Sequence, residues 1–219
     1  MIQGLLLIFL ALFPFQAVGE PLPLDVLISK IQSAYENLKD LQASFEQETV
    51  IQDFKTPVKY TGDLFLKKRD KMKLVYRHPK KEELFINGNQ LITYLPDQHQ
   101  AIKGIFSKDQ ESKLPVRLLS GEAILGKEFN ITRQEAKHST GYELLLIPRQ
   151  KDENLEKIEV KIDPSTYLIQ KLRLVQTNQN SSSFSFSKAQ VNPGLKDPLF
   201  TFTPPEGTEI IQAFPPLNK

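Results

Sequence analysis

The sequence predicts a mainly β chain of the α+β class, built on one large, curled antiparallel sheet. Three observations carry this. After Asp40 the hydrophobic period is two over almost every apolar segment. Turn residues return roughly every 8–12 positions, the spacing of short strands joined by tight turns. Period 3.6 is confined to one long stretch near the start and one short stretch in the middle.

The long helix comes first. Leu24, Leu27, Ile28, Ile31, Tyr35 and Leu38 form one stripe at helical spacing. Pro21 and Pro23 fence its start, and Asp25 suits the positive end of the helix dipole. Ala43, Phe45, Gln47 and Thr49 then alternate against Ser44, Glu46 and Glu48. Strands are expected over Val58–Lys67, Lys71–Arg77, Glu82–Asn87 and Gln90–Leu95. Asn87-Gly88-Asn89 joins the last two as a hairpin, because Asn and Gly accept positive φ. Pro96-Asp97-Gln98 turns the chain into Gln100–Phe106. Pro115 in a first turn, an apolar edge of Leu114, Leu118 and Leu119, and Gly121 as a stop define the short helix.

Strands resume over Glu128–Lys137, Tyr142–Ile147, Leu155–Asp163, Tyr167–Thr177 and Ser181–Gln190. In Leu155–Asp163, Ile158, Val160 and Ile162 point one way while Lys157, Glu159 and Lys161 point the other, the pattern of a sheet with one dry face. Phe200 and Phe202 alternate with threonines as in a last strand, which Pro204-Pro205-Glu206-Gly207 stops and turns.

Composition narrows the function classes. Hydrophobic content of 40% can fill a core, and a net charge of +2 gives no global basic field for nucleic acid. Without cysteine there is no disulfide, and no thiol of this chain to be acylated. The opening MIQGLLLIFLALFPFQAVG has no charged side chain and ends in Ala17-Val18-Gly19. It reads as a secretory signal over residues 1–19, leaving 20–219 as one domain. Gly121 to Glu128 spells a phosphate-binding loop except for its last residue, where an acid replaces the hydroxyl that must reach magnesium. His78, His99 and His138 have no partners at ligand spacing, so no metal site is expected. No Gly-x-Ser-x-Gly elbow is present, so an enzyme is not expected.

A sheet with one apolar face must cover it. Two closures stay open: a barrel filled by its own side chains, or a concave shell lidded by helices with a cavity between. One amphipathic helix and one short one are a small cover for about a dozen strands, which favours the cavity.

FTFTPPEG (Phe200 to Gly207) resembles the C-terminal signature of the periplasmic outer-membrane lipoprotein carrier family, LolA. GDLFLKKRDKMKLVY from Gly62, INGNQLITYLP from Ile86, LPVRLLSG from Leu114 and YELLLIPR from Tyr142 resemble further family motifs in the same order. The resemblance implies an unclosed, strongly curved antiparallel half-barrel of about 11–12 strands, lidded by the long N-terminal and the short central helix. Its apolar interior would take the acyl chains of lipoproteins. The carrier would collect cargo in the periplasm from an ATP-driven lipoprotein-releasing transporter of the inner membrane. It would then deliver that cargo to an outer-membrane acceptor, as a monomer without cofactor or covalent chemistry. An alternative on the same scaffold is a lipid- or lipoprotein-sensing regulatory module that binds without handing on.

Parity names the residues for such a cavity: Leu64, Leu66, Met72, Leu74 and Tyr76 on the early strands. On the later strands they are Ile158, Val160, Ile162, Phe184, Phe186, Phe200 and Phe202. Ile28, Ile31, Tyr35, Leu118 and Leu119 would face it from the lid. The resemblance implies a latch in which an arginine of the Arg-Pro pair holds the lid; here Lys68 and Arg69 align with that pair. Lys71, Lys73 and Arg77 lie in the densest basic run, a candidate docking surface for an acidic partner.

Overall fold

The computed structural model describes residues 22–213 except 53, 55, 69, 107–113 and 135–139. The expected signal at 1–19 and the latch candidate Arg69 lie outside the described residues. Helix α1 spans Leu24–Asn37, followed by β1 (Asp40–Val50), β2 (Val58–Lys67), β3 (Lys71–His78), β4 (Glu82–Asn87), β5 (Gln90–Leu95) and β6 (Gln100–Ile105). Helix α2 (Leu114–Ser120) and the single turn α3 (Leu125–Glu128) precede β7 (Phe129–Gln134), β8 (Tyr142–Pro148), β9 (Leu155–Ile162), β10 (Ile169–Gln176), β11 (Ser181–Val191) and β12 (Glu209–Gln212).

All twelve strands form one sheet in the order β12-β6-β5-β4-β3-β2-β1-β11-β10-β9-β8-β7. Neighbours are antiparallel except β12, which runs parallel to β6. No pairing among the described residues joins β7 to β12, so the sheet is unclosed. The mainly β, lidded open-sheet expectation therefore holds.

Register decides which side chains share a face. Leu41 faces Leu66, which faces Met72, which faces Ile86. Phe45 faces Phe186 on one side and Gly62 on the other. Leu172, Val160 and Leu144 align across β10, β9 and β8. This inner face and the helices share one hydrophobic cluster, in which Leu27, Ile31, Tyr35 and Leu118 pack with Leu64, Ile158 and Leu146. Strands from both halves of the sheet thus wrap the same helices, and burial of each large apolar side chain contributes roughly 1.5–3 kcal/mol.

The FTFT stretch corrects one expectation. It is no strand: Asp197–Phe200 is a 3-10 turn, and the chain runs on without ladder partners to Gly207 before β12 begins. Pro198, Pro204 and Pro205 have no N–H to give a ladder. The segment instead straps the outer face of the sheet. Phe202 packs there against Phe85 (5.4 Å between ring centroids) and Tyr94 (5.1 Å), in a separate small cluster with Ile92 and Ala101. Phe202 is therefore not an inner-face residue. Phe200 is buried at the end of the turn but belongs to neither cluster.

Candidate functional site

The inner face is the candidate site. At its middle stands Phe45, 2% exposed, with Tyr76 edge-on at 5.1 Å and Phe184 at 6.1 Å. Tyr60 meets Tyr76 at 5.9 Å, and Phe184 stacks with Phe186 at 6.3 Å. The ring of Phe45 fits only because residue 62 is glycine. A Cβ there would come within 2.8 Å of the ring and 2.1 Å of the Val75 carbonyl oxygen. Tyr76 donates to Gln47 Oε1 at 3.1 Å. Burial, with smaller effects from Glu82 and Tyr60, pushes its phenol up to about 12, so it stays neutral and adds no charge to this face.

Helix α1 lies across the end of the sheet where β1 and β10 begin and β2 ends. Its Tyr35 Oη accepts the Ile169 N–H at 3.2 Å, and burial pushes the phenol well above its usual range. Gly121 closes α2 against the same ring. Its φ is +74°, and a Cβ there would stand 2.7 Å from the Cβ of Tyr35. Lys68 donates to the Glu36 carbonyl at the C-terminal end of α1, where the helix dipole favours a cation. Arg133 reaches from β7 to the Leu22 carbonyl at the other end of the helix. Gln32 Oε1 accepts the Leu125 N–H at 3.3 Å, tying α1 to α3.

The residue that breaks the phosphate-loop pattern has a different use. Glu128 takes both arms of the Arg117 guanidinium at 2.8 Å each and the Ile124 N–H at 2.8 Å. This fork fastens α2 to α3. Composition and motif reading give no hint of it, because Arg117 falls in a helix edge read only for its leucines.

The residues assigned by parity come together. Leu64, Leu66, Met72, Ile158, Val160 and Ile162 are buried in the main cluster, and Leu74, Tyr76, Phe184 and Phe186 are half-buried against it. Of the lid set, Ile31, Tyr35 and Leu118 are buried, and Ile28 and Leu119 pack at the margin. The helices occupy the space between the sheet's two halves. Among the described residues, a crevice under α2 lined by Met72, Ile86, Phe106 and Val116 is about 10 Å³, room for no hydrocarbon chain. Phe45, Phe129, Leu144, Leu146 and Leu172 join the cluster although parity did not single them out.

The basic run finds partners within the chain. Lys71 and Lys67 both bind the Asp197 carboxylate, at 2.8 and 2.6 Å. Lys73 pairs with Glu83 at 2.8 Å beneath the strap and lies over Phe85, 4.5 Å from its centroid. Arg77 pairs with Asp63. Lys71, Lys73 and Arg77 are thus each ion-paired within the chain.

A single unclosed sheet with one continuous apolar face and a few short helices over it defines a protein of the open-sheet, apolar-face class. The sequence model of the family described as outer membrane lipoprotein carrier protein LolA matches residues 36–203, and the chain belongs to that family. It is 26% identical over 195 residues to an outer-membrane lipoprotein carrier protein of Nitrosomonas europaea, covering 87% of this chain and 93% of the relative. The same identity holds over 185 residues with the Helicobacter hepaticus protein of that description, covering 81% and 86%. An uncharacterized conserved protein from Thermus thermophilus shares the fold, with TM-score 0.56, 6% identity and coverage of 86% and 98%.

Proposed function

We infer that this chain carries lipoproteins through the periplasm, holding their acyl chains against the inner face of the sheet. The observation that carries this reading is the inner face itself: apolar from β4 to β8 and, among the described residues, covered by α1, α2 and α3. Burying a methylene contributes roughly 0.8 kcal/mol, so exposing the chains of a lipid anchor to water would cost tens of kcal/mol. A carrier must remove that cost and still release its load. Apolar side chains suit this, because they supply area without directional bonds.

In the closed arrangement Leu27, Ile31, Tyr35 and Leu118 occupy the place the acyl chains would take. Cargo entry then amounts to exchange of one apolar surface for another, with α1 and α2 moving aside. Among the described residues the polar holds on that movement are Lys68 and Arg133 at the two ends of α1, the Tyr35 hydroxyl, the Gln32 tie to α3 and the Arg117–Glu128 fork. The carrier receives cargo from an ATP-driven inner-membrane transporter and passes it to an outer-membrane acceptor. It binds and releases, with no bond made or broken.

Purification of the chain from periplasm followed by mass spectrometry is expected to recover acylated lipoproteins. Depletion of the protein is expected to strand lipoproteins at the inner membrane. Acylated cargo on the purified protein together with normal lipoprotein placement after depletion would refute carriage and support a sensing role instead.

A further inference from the structure

The end of the sheet opposite α1 carries features that the cargo-binding reading does not use; among the described helices α3 reaches it at the β7–β8 edge, where the Arg149 N–H donates to the Glu128 carbonyl at 2.8 Å. The strand directions put the β1–β2, β3–β4, β5–β6, β8–β9 and β10–β11 turns all at this end, opposite α1. The half-buried aromatic side chains Tyr60, Tyr76 and Phe184 lie on the inner face toward the same end.

The β1–β2 turn carries Phe54, which is 66% exposed and flanked by exposed Val50 and Val58. Two hydrogen bonds from backbone N–H groups anchor its described residues. The Phe54 N–H donates to the Ile51 carbonyl at 2.9 Å, and the Gln52 N–H donates to Asn180 Oδ1 at 3.0 Å, fastening it to the β10–β11 turn. Beside it, through the Thr61–His78 pairing, stands the β3–β4 turn with Lys80 and Lys81, both exposed. Arg149 and Lys151 are exposed on the β8–β9 turn. None of these four cations has an ion-pair partner among the described residues, unlike Lys67, Lys71, Lys73 and Arg77. Of the acids at this end, Glu48 is taken by Lys59, Asp63 by Arg77 and Glu128 by Arg117, and Asp152 is buried, while Glu82, Asp97, Glu153, Glu156 and Glu209 stand on or beside the turns.

We propose that this end of the sheet seats on the surface of an anionic bilayer, with Phe54 entering the interface and Lys80, Lys81, Arg149 and Lys151 meeting lipid phosphates. A protruding aromatic side chain with free cations around it suits a lipid interface, which accepts a single ring at headgroup depth. A protein interface of standard size needs a broad, complementary patch, and the apolar surface here is one turn. The contact is independent of cargo capture, since it uses only the turns.

The chain contains no tryptophan, so Phe54→Trp places a single indole at the tip. The variant, purified from periplasm, is titrated with vesicles of phosphatidylethanolamine and phosphatidylglycerol, and in parallel with vesicles of phosphatidylcholine alone. The expected result is a blue shift of the indole and quenching by brominated lipid on the anionic vesicles, with little change on the neutral ones. Lys80→Glu with Lys81→Glu in the same chain is expected to weaken partitioning about tenfold or more. Phe54→Ser in the otherwise unchanged protein is expected to reduce co-sedimentation by a similar factor. All three positions are exposed, so circular dichroism is expected to show an unchanged fold. An indole that stays solvated at every anionic lipid concentration overturns the proposal. So does binding indifferent to the charge reversal, or cross-linking of this end to an acidic protein with no vesicle binding.

Discussion

Replacing Arg117 by glutamine tests whether α2 is a movable cover or a fixed part of the core. The substitution removes both 2.8 Å bonds to Glu128 and leaves the Leu118 and Leu119 packing in place. Bonds of this charged type contribute roughly 1.5–3 kcal/mol. The two side chains are 28% and 21% exposed, so solvent screening reduces the pair to about 1.5 kcal/mol. At about 1.4 kcal/mol per factor of ten, the population with α2 opened rises about tenfold. Amide hydrogen exchange reads this directly: protection at Leu118 to Ala123 should fall about tenfold while β9 and β10 keep theirs. Uptake of a fluorescent lipid should quicken in parallel. Glu128→Gln keeps an oxygen for the Ile124 N–H but loses the ionic fork, and should give a similar loss. The double variant should lose little more, because the pair is already gone. Unchanged exchange in α2, or a loss spread evenly over the strands, would refute the reasoning.

Two further outcomes follow from single residues. Gly62→Ala sets a Cβ 2.1 Å from the Val75 carbonyl oxygen, which cannot retreat without leaving the ladder. The cost is about 3 kcal/mol, a fall of about 6–12 °C in Tm by calorimetry, and Phe45→Leu in the same chain should not restore it. Asp197, held by hydrogen bonds from Lys67 and then Lys71, has its carboxyl lowered to about 2. Its folded value lies below its unfolded one, so its contribution is complete above about pH 4 and is lost as pH falls through about 2. A carboxyl carbon shift titrating at the ordinary aspartate value, by NMR, would show that the strap is not held this way.

The sheet was legible because a half-wet strand writes its two faces into alternate residues, and Ile158, Val160 and Ile162 do this without interruption. Their neighbours hid better. Leu144, Leu145 and Leu146 run together, so parity cannot say which two turn inward; only the register with Val160 and Ile158 does. Phe200 and Phe202 mislead because alternation shows where side chains point, not whether the backbone has ladder partners, and the prolines around them decide that. The lysine run reads as free charge because its acceptor, Asp197, lies 126 to 130 residues away. No local pattern announces such a pairing. The same holds for the Tyr35 hydroxyl and the Ile169 amide, which lie 134 residues apart.

The gap between β7 and β12 has a mechanical result. A closed barrel has its radius fixed by strand number and shear, and to widen it must tear a seam. A cuff slit along its length dilates by changing twist, every ladder bond intact, and one such wrapper can grip loads of unequal girth.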